Sequence, residues 1–308
     1  MKKVLITGGS GSIGKAFIKE YYDDYIFYNI SRSEDKQSSL SKEFPEVINY
    51  IGSIEDICFL YHVFEKVKPN IVLHMAAMKH INIAEVNTIQ CCNINIVGSL
   101  NVISASKKYN VPITIGISTD KACLPESTYG YTKYLMEKCF IEANTTKNKF
   151  ALCRFANVAH SSGSVIPLWL KAKEENRPLK LTDPRMNRLI FSLKDSAKFI
   201  HRTIDICNNI GGAFIGVNVG MKVINMFELA KCISDNVEII GKITEAEKFD
   251  EDLISERELP YTYVMNDSYV IIHTYENTFV TTRLKEKYGS HNAVKITHEE
   301  LMELIEEE

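Results

Sequence analysis

The glycine-rich segment after the first apolar run constrains the fold more than any other part of this sequence. It lies between a predicted strand at residues 3–7 and a predicted helix at 12–22, and it reads Thr7-Gly8-Gly9-Ser10-Gly11-Ser12-Ile13-Gly14. Glycines in such a turn let the backbone approach a pyrophosphate, which then lies at the helix N-terminus. The segment predicts a dinucleotide-binding βαβ unit, and a glycine-rich turn without a ligand is the alternative.

Short apolar runs alternate with helix-like segments through the first half of the chain. We predict further strands at 25–30, 47–50, 71–75, 113–118 and 150–155, and helices at 55–66 and 87–109. Parallel strands need helical crossovers, so this alternation favours an α/β fold with a doubly wound parallel sheet.

The second half is less regular, because Gly, Ser and Pro residues interrupt it. We place a boundary near residue 157, with a Rossmann domain at 1–157 and mainly a smaller C-terminal substrate-binding lobe at 158–308. An apolar run at 214–219 predicts a strand that returns to the main sheet. The acidic segment 299–308 is predicted to be a helix with a solvated face.

Composition argues against several classes of function. The formal net charge of −3 over 308 residues gives a nucleic-acid partner no electrostatic support. No apolar run is long enough for a signal peptide core or a membrane span, so membrane insertion is not expected. The eight cysteines form no CxxC pair and no HExxH motif is present. We therefore expect reduced thiols, no metal site and a cytoplasmic protein.

The end of the second predicted strand distinguishes NAD from NADP. An NAD site needs a carboxylate about 20 residues after the glycine loop to bind the ribose hydroxyls. This chain instead has Ser31, Arg32 and Ser33, with Lys36 nearby. Cationic side chains pair with phosphate oxygens, so the segment favours NADP. A solvated loop arginine is the alternative.

A second set of reactive side chains follows the fifth predicted strand. Thr119, Asp120 and Lys121 end that strand, and Tyr129 and Lys133 are four residues apart, on one face of a helix. We expect the Lys133 ammonium to lower the pKa of the Tyr129 phenol. The tyrosine could then remove a proton from a substrate hydroxyl while a nicotinamide takes the hydride.

With these motifs, the chain resembles the inverting UDP-N-acetylglucosamine 4,6-dehydratases of bacterial surface-sugar synthesis, a branch of the extended short-chain dehydrogenases. The most specific motif is Thr119-Asp120-Lys121, because retaining dehydratases typically carry Thr-Asp-Glu there. The other matching segments are the glycine loop, 31–36, 74–80, 129–133, 154–158, 163–167 and 186–188.

This resemblance implies a hydride cycle on a nucleotide-linked sugar. NADP would oxidise C4, with Tyr129 as the base, Lys133 in support and Thr119 holding the C4 hydroxyl. Lys121 would remove the C5 proton and Asp120 would protonate the departing C6 hydroxyl, before the hydride returns to C6 and C5 is inverted. Lys121 must be neutral for this step, so we expect burial or a cationic neighbour to lower its pKa. A purely structural ion pair is the alternative for Asp120 and Lys121.

The resemblance also implies which residues contact each ligand. Besides Tyr129 and Lys133, the expected dinucleotide contacts are Thr7, Gly8, Gly11, Ser12, Ile13, Gly14, Ser31, Arg32, Ser33, Lys36, Ser53, Ile54, Ala76 and Ala77. The expected substrate contacts are Lys79, Thr119, Asn157, Val165, Arg188 and Glu247. Asn95 is expected to order the active-site helix, and a homo-oligomer (a dimer or larger) is implied.

Two positions depart from the family pattern. Ser53 stands where members usually carry an aspartate for the adenine, and Thr244 stands where a phosphate-binding arginine is expected, three residues before Glu247. Losing an arginine–phosphate contact costs about 1.5–3 kcal/mol per charged hydrogen bond. Either another cation compensates, or the loop or the substrate differs.

Two other functions remain open. A sugar-nucleotide 4-epimerase or 4-ketoreductase would use Tyr129, Lys133 and the cofactor, but it would not need Asp120 and Lys121 as acid and base. A non-catalytic NADP-binding sensor is the third reading, although such proteins commonly lack the tyrosine or the lysine.

Overall fold

A nine-stranded sheet forms the centre of the computed structural model, which describes residues 1–241, 247–265, 268–272 and 282–306. The strands, in chain order, are β1 (Lys2–Thr7), β2 (Tyr25–Ser31), β3 (Ile48–Ile51), β4 (Ile71–His74), β5 (Ile113–Thr119), β6 (Lys149–Phe155), β7 (Asn157–Val158), β8 (Leu179–Leu181), β9 (Asn187–Phe191), β10 (Phe214–Asn218), β11 (Lys222–Asn225), β12 (Val237–Ile239), β13 (Asp252–Ile254), β14 (Thr262–Met265), β15 (Ser268–Ile272) and β16 (Tyr288–Gly289). The sheet order is β14-β15-β10-β6-β5-β4-β1-β2-β3.

Most of this sheet is parallel, and one edge is antiparallel. The strands from β3 to β10 in the sheet order pair in parallel, whereas β15 pairs antiparallel with both β10 and β14. The doubly wound α/β fold predicted from the sequence is confirmed. The bounds of β1 to β6 each lie within one residue of the predicted bounds.

Helices cover both faces of the sheet. They are α1 (Ser12–Glu20), α2 (Glu34–Glu43), α3 (Ile57–Val67), α4 (Ile81–Val86), α5 (Thr88–Cys92), α6 (Gly98–Lys108), α7 (Thr128–Ala143), α8 (Val165–Glu174), α9 (Leu193–Ile210), α10 (Met226–Ile233) and α11 (His298–Glu306). In β1, Ile6 joins one buried cluster with Phe17 of α1, and Leu5 joins another with Phe64 of α3. This alternation follows from the two-residue period of a strand and buries both faces.

Residues after 157 contribute to two layers of the molecule. The strands β10, β14 and β15 lie in the main sheet, and α9 packs against α1. The remaining strands form the sheets β11-β9-β7, β12-β8 and β13-β16. A separate apolar cluster there includes Trp169, Ile224 and Leu304.

The acidic C-terminal helix is less solvated than the sequence suggested. Leu301, Leu304 and Ile305 of α11 are buried in the cluster around Trp169. The prediction of a solvated face therefore holds only for the acidic side of this helix, because its apolar residues recur at helical spacing. Among the described residues, no helix is both long and apolar enough to cross a membrane.

Candidate active site

The loop between β1 and α1 forms a narrow cradle. Gly8 has a φ of +81°, and a Cβ added there would lie 3.0 Å from the amide nitrogen of Ala76. A Cβ added at Gly14 would lie 2.5 Å from the Cα of Gly9. Both positions therefore require glycine. Gly11 caps α1 and brings no side chain to its first amides, which can bind an anion.

A cavity of about 600 Å³ opens beside this loop. Thirteen of the residues predicted to contact a dinucleotide line it: Gly8, Gly11, Ser12, Ile13, Gly14, Ser31, Arg32, Ser33, Lys36, Ser53, Ile54, Ala76 and Ala77. The cavity fits a dinucleotide, because it combines an anion-binding helix end with cations at its far rim.

Thr7 was predicted with this set, but it does not line the cavity. Its hydroxyl lies 2.8 Å from Nδ1 of His74, which contacts Ser99 through Nε2 at 2.9 Å. Burial, together with the charge of Lys133, lowers the pKa of His74 to about 3, so the imidazole is neutral. Thr7 thus supports the strand ends below the cavity.

A buried glutamine fixes the end of β2. Gln37 donates from Nε2 to the backbone oxygen and to Oγ of Ser31, both at 2.9 Å, and to the Tyr50 carbonyl at 2.8 Å. Ser33 caps α2 by accepting a hydrogen bond from the amide of Lys36. Arg32 and Lys36 are exposed at this rim. The sequence did not point to Gln37, because a glutamine three residues into a polar helix gives no signal of burial.

Glu55 is a second residue that the sequence analysis missed. Ser53, which replaces the expected aspartate, donates from Oγ to Oε2 of Glu55 at 2.9 Å. Glu55 lines the same cavity and also accepts a hydrogen bond from Gln90 at 2.9 Å. A carboxylate is therefore present at this edge of the cavity, two residues after the expected position.

A π-helical turn at Asn93–Val97 joins α5 to α6. Within it, Asn95 accepts a hydrogen bond from the Met78 amide at 2.8 Å and donates to the Met78 carbonyl and to Oγ1 of Thr132, both at 3.0 Å. Such wide turns often occur at functional sites. Asn95 connects the loop after β4 with α7, the helix of Tyr129.

A smaller cavity of about 300 Å³ adjoins the first and shares Lys79 with it. Its lining includes seven residues predicted for catalysis or substrate contact: Lys79, Thr119, Asp120, Lys121, Tyr129, Lys133 and Asn157. The structure brings these residues together because β5 ends where α7 begins, on the carboxyl side of the sheet.

The Thr-Asp-Lys triplet forms a tight polar cluster. Asp120 accepts hydrogen bonds from Oγ1 of Thr119 at 2.7 Å and from Nζ of Lys121 at 2.6 Å. A residue that the sequence analysis missed, Glu251, lies with Oε1 at 3.3 Å from the same nitrogen.

The prediction of a lowered pKa for Lys121 is wrong for this structure. Burial lowers the pKa, but the neighbouring Asp120 and Glu251 carboxylates outweigh it and raise the pKa above the ordinary value. The nearby cation Arg188 only partly opposes them. Lys121 is thus an ammonium in an ion pair.

The predicted effect of Lys133 on Tyr129 is also wrong. Burial raises the pKa of Tyr129 well above its ordinary value, against a hydrogen bond with Thr119 that lowers it. The Lys133 ammonium donates instead to the Ile117 carbonyl and lies 3.2 Å from Sδ of Met136. Burial lowers the pKa of Lys133 to about 8.

The other predicted substrate residues lie around this cavity or beyond it. Lys79 donates to the Ser162 carbonyl at 2.6 Å, and Asn157 donates to the Leu189 carbonyl at 2.9 Å. Arg188 donates to the carbonyls of Asn187 at 2.8 Å and Phe249 at 3.2 Å. Val165, Arg188 and Glu247 lie outside the lining of the two cavities. Thr244 lies outside the described residues.

A buried ionic network supports the helix of Tyr129. Arg154, which is 1% exposed, contacts Glu137 of α7 through two nitrogens at 2.9 and 2.6 Å and Glu258 at 2.9 Å. Ser118 of β5 donates to Glu137 at 2.6 Å. The network therefore joins β5, α7 and β6 to the segment after β13, and both carboxylates contact the one guanidinium.

Metal and disulfide chemistry find no site in the part of the chain that the structure describes. No group of three His, Cys, Asp or Glu side chains there could hold a metal ion. All eight cysteines lie in this part, and each thiol is free.

Comparisons with known proteins agree with this geometry. Residues 4–273 match the family model described as polysaccharide biosynthesis protein. A Campylobacter jejuni protein named UDP-N-acetylglucosamine 4,6-dehydratase (inverting) is 35% identical over 99% of this chain and 97% of its own length. A Rickettsia rickettsii protein named UDP-glucose 4-epimerase is 31% identical over 99% of this chain and 95% of its own. The X-ray structure of Pen from Bacillus thuringiensis has a TM-score of 0.89 at 29% identity and covers 99% of this chain and 96% of its own.

Proposed function

This chain belongs to the polysaccharide biosynthesis protein family, and from that membership we propose that it is an inverting UDP-N-acetylglucosamine 4,6-dehydratase. Its product is a 4-keto-6-deoxy sugar for bacterial surface glycans. The observation that best supports this function is the 2.6 Å contact between Asp120 and Lys121, in the cavity that Tyr129 also lines. A 4,6-dehydration needs an acid and a base in addition to a tyrosine, and these side chains supply all three.

NADP is the proposed dinucleotide. When bound, it supplies hydride transfer, out of C4 and back to C6. Arg32 and Lys36 at the cavity rim support a 2′-phosphate, and Glu55 is placed to accept a hydrogen bond from the adenine. Titration of the protein with NADP and with NAD tests this choice, and equal affinities would contradict it.

Tyr129 takes the proton of the C4 hydroxyl, with Thr119 holding that hydroxyl in reach. Burial keeps the phenol protonated in the present arrangement. Lys133, whose pKa is about 8, can turn from the Ile117 carbonyl towards the phenol. Its positive charge would then favour the tyrosinate.

Asp120 and Lys121 supply the acid and the base through one proton. Transfer of a proton from the Lys121 ammonium to the Asp120 carboxylate, across 2.6 Å, gives a neutral amine and a carboxylic acid. The amine then takes the C5 proton, and the acid gives its proton to the departing C6 hydroxyl as water leaves. Both groups return to their starting charges, and Lys121 acts as a base only within this exchange, because its raised pKa otherwise favours the ammonium. Once C6 is reduced, a solvent proton adds to C5 from the opposite face, and the proton that Tyr129 took from the C4 hydroxyl returns to solvent, so the protons balance.

The nucleotide sugar is proposed to contact Lys79 and Asn157, which line the cavity, and Val165, Arg188 and Glu247 beyond it. Burial, together with the charge of Lys36, lowers the pKa of Lys79, and a phosphate beside it would restore the charged form by opposing both effects. Residues 158–308 would mainly form the substrate-binding lobe, apart from the strands that they add to the main sheet.

A cytoplasmic homo-oligomer is the proposed state of the enzyme. Apolar side chains exposed on α6 and α7 support self-association: Leu100 is 42% exposed and Leu135 is 45% exposed. The free thiols are in keeping with a reducing compartment.

A 4-epimerase is the second candidate, because the Rickettsia rickettsii relative carries that name. An epimerase would use Tyr129 and the dinucleotide but would leave Asp120 and Lys121 without a chemical task.

Product analysis separates the two candidates. After incubation of the protein and NADP with UDP-N-acetylglucosamine in deuterated water, we expect a product that has lost one water and carries deuterium at C5. Lys121→Met should abolish the C5 deuterium while NADP binding persists. A product of unchanged mass would contradict the dehydratase and favour the epimerase.

A further inference from the structure

Glu251 is a buried carboxylate that the mechanism above does not use. It lies just before β13 and is 5% exposed. Two hydrogen bonds with Ser290 hold the backbone of Glu251 in place. The Glu251 amide donates to Oγ of Ser290 at 3.0 Å, and the Glu251 carbonyl accepts from the Ser290 amide at 2.9 Å. A Cβ added at Gly289 would lie 2.6 Å from the same carbonyl, so the two segments pack without a gap. The backbone thus fixes where this side chain lies.

Two carboxylates share the Lys121 ammonium. Its nitrogen lies 2.6 Å from Oδ2 of Asp120 and 3.3 Å from Oε1 of Glu251. Asp120 is 3% exposed, so both acids are largely removed from water. One carboxylate would be enough to neutralise one ammonium. The second buried acid adds a desolvation cost of its own and lies beside the one ammonium that the proposed reaction uses.

We propose that Glu251 is a positioning residue for the acid–base pair, holding the Lys121 nitrogen in place while Lys121 passes its proton to Asp120. This inference rests on the proposed dehydratase function. Once the proton has moved, the attraction between Lys121 and Asp120 is lost, and a neutral amine on a flexible stem could turn away. The neutral amine still donates a hydrogen bond to the Glu251 carboxylate. This contact keeps the amine beside the sugar and leaves its lone pair free for the C5 proton.

The proton balance defines what Glu251 changes. One N–H bond of Lys121 breaks and one O–H bond of Asp120 forms; the C5 proton then restores the ammonium, and water formation restores the Asp120 carboxylate. Burial raises the pKa of Glu251 and the Lys121 ammonium opposes this rise, and Glu251 takes up no proton in the proposed step. Its negative charge stabilises the form of the pair that still holds the shared proton.

The charged groups that face Glu251 come from three parts of the chain. Asp120 and Lys121 follow β5, Arg188 lies in β9, and Lys248 belongs to the same segment as Glu251 itself. Removing the Glu251 charge leaves Arg188 and Lys248 in place. The shared proton is then held less tightly and is lost at lower pH, so activity at alkaline pH should fall earlier.

The test compares Glu251→Gln, Glu251→Asp and the neighbouring control Asp252→Asn, whose carboxylate instead contacts Lys287 and His291. In Glu251→Gln, we expect kcat to fall about tenfold with KM unchanged, and the alkaline limb of the pH profile to move down by about one unit. Glu251→Asp keeps the charge and should restore the limb. Asp252→Asn should match the parent protein.

A second measurement does not depend on turnover. The ¹³Cε signal of Lys121, assigned with Lys121→Met, reports its pKa by NMR titration, and Glu251→Gln should lower that pKa. An unchanged pKa, or an unchanged alkaline limb with normal product, would overturn the role of Glu251. If the parent protein forms no 4-keto-6-deoxy product, the proposed function fails, whereas the NMR titration still decides whether Glu251 controls Lys121.

Discussion

The proposed dinucleotide end and the proposed catalytic end of this molecule are built in different ways. The first depends on short stretches of sequence, 8–14 and 31–36, where glycines and helix caps set the geometry. The second depends on contacts between distant residues, such as Arg154 and Glu258, which are 104 positions apart. A local motif can therefore identify where a ligand binds, but the protonation of the reactive groups is decided by side chains from elsewhere in the chain.

The largest expected effect lies at the catalytic end. Tyr129→Phe removes the proposed base, so kcat for dehydration should fall about 10³-fold, within the usual range for general base catalysis. The Kd for NADP should change much less than kcat, because Tyr129 is one of many expected dinucleotide contacts and the variant keeps the aromatic ring in the smaller cavity. Steady-state kinetics and a fluorescence titration of NADP measure the two quantities separately.

Tyr131→Phe is the matched control. Tyr131 lies on the same helix, is 53% exposed and has no lysine four residues later, so its variant should retain full activity. Equal losses of kcat in Tyr129→Phe and Tyr131→Phe would contradict the assignment of Tyr129 as the base.

An intermediate effect is expected at the dinucleotide end. Gly8→Ala introduces both backbone strain, at φ +81°, and a contact of 3.0 Å with Ala76, so the Kd for NADP should rise about tenfold or more. Gly211→Ala is the control, because Gly211 has a φ of +90° but an added Cβ meets no described atom within 4 Å.

Both alanine variants should lower the Tm, since both strain the backbone, but only Gly8→Ala should weaken dinucleotide binding. An unchanged Kd in Gly8→Ala would mean that the glycine loop does not form the binding surface.

The last prediction concerns the network behind the catalytic end, where the expected change is in stability and not in ligand binding or turnover. Burial alone would raise the pKa of Glu258, but Arg154 and hydrogen bonds from Ser255 lower it to about 2. A carboxyl whose folded pKa is lowered stabilises the fold above its unfolded pKa, and this stability is lost as the pH falls towards 2. The loss between pH 4.5 and 2 should reach about 3 kcal/mol.

Glu258→Gln should remove this part of the acid dependence of the unfolding free energy, measured by urea titration at several pH values. Glu256→Gln, at an exposed neighbour, should keep it. Parallel curves for the parent protein and Glu258→Gln would contradict the assigned pairing with Arg154.

The fold was largely predictable from the sequence in the first half of the chain, where strands and helices alternate. The bounds of β1 to β6 follow from apolar runs, because a buried parallel strand is apolar along its whole length. The second half was less well predicted. The helix α9 at Leu193–Ile210 was overlooked although its apolar residues recur at helical spacing, and the short strands β7 to β9 carry too few residues for a period to show.

At the site, residue identities were more predictable than their chemistry. Lys121 and Tyr129 were placed in one cavity as expected, yet the expected direction of each pKa shift was wrong. Glu251 explains part of the shift at Lys121. It stands in an acidic stretch of the sequence that resembles a solvated loop, but in the structure it is buried beside the pairing of β13 with β16 and against Lys121. Long-range packing of this kind leaves no local pattern.

The wide turn at Asn93–Val97 has a consequence for how such chains can vary in length. Deleting one residue there would restore ordinary helical spacing and rotate α5 against α6 by about 100°. Asn95 would then swing away from Met78 and Thr132, and the tyrosine helix would lose its connection to the loop after β4. Insertions and deletions should thus be tolerated in the outer loops. The π-helical turn should keep its length, because the position of the Tyr129 helix depends on it.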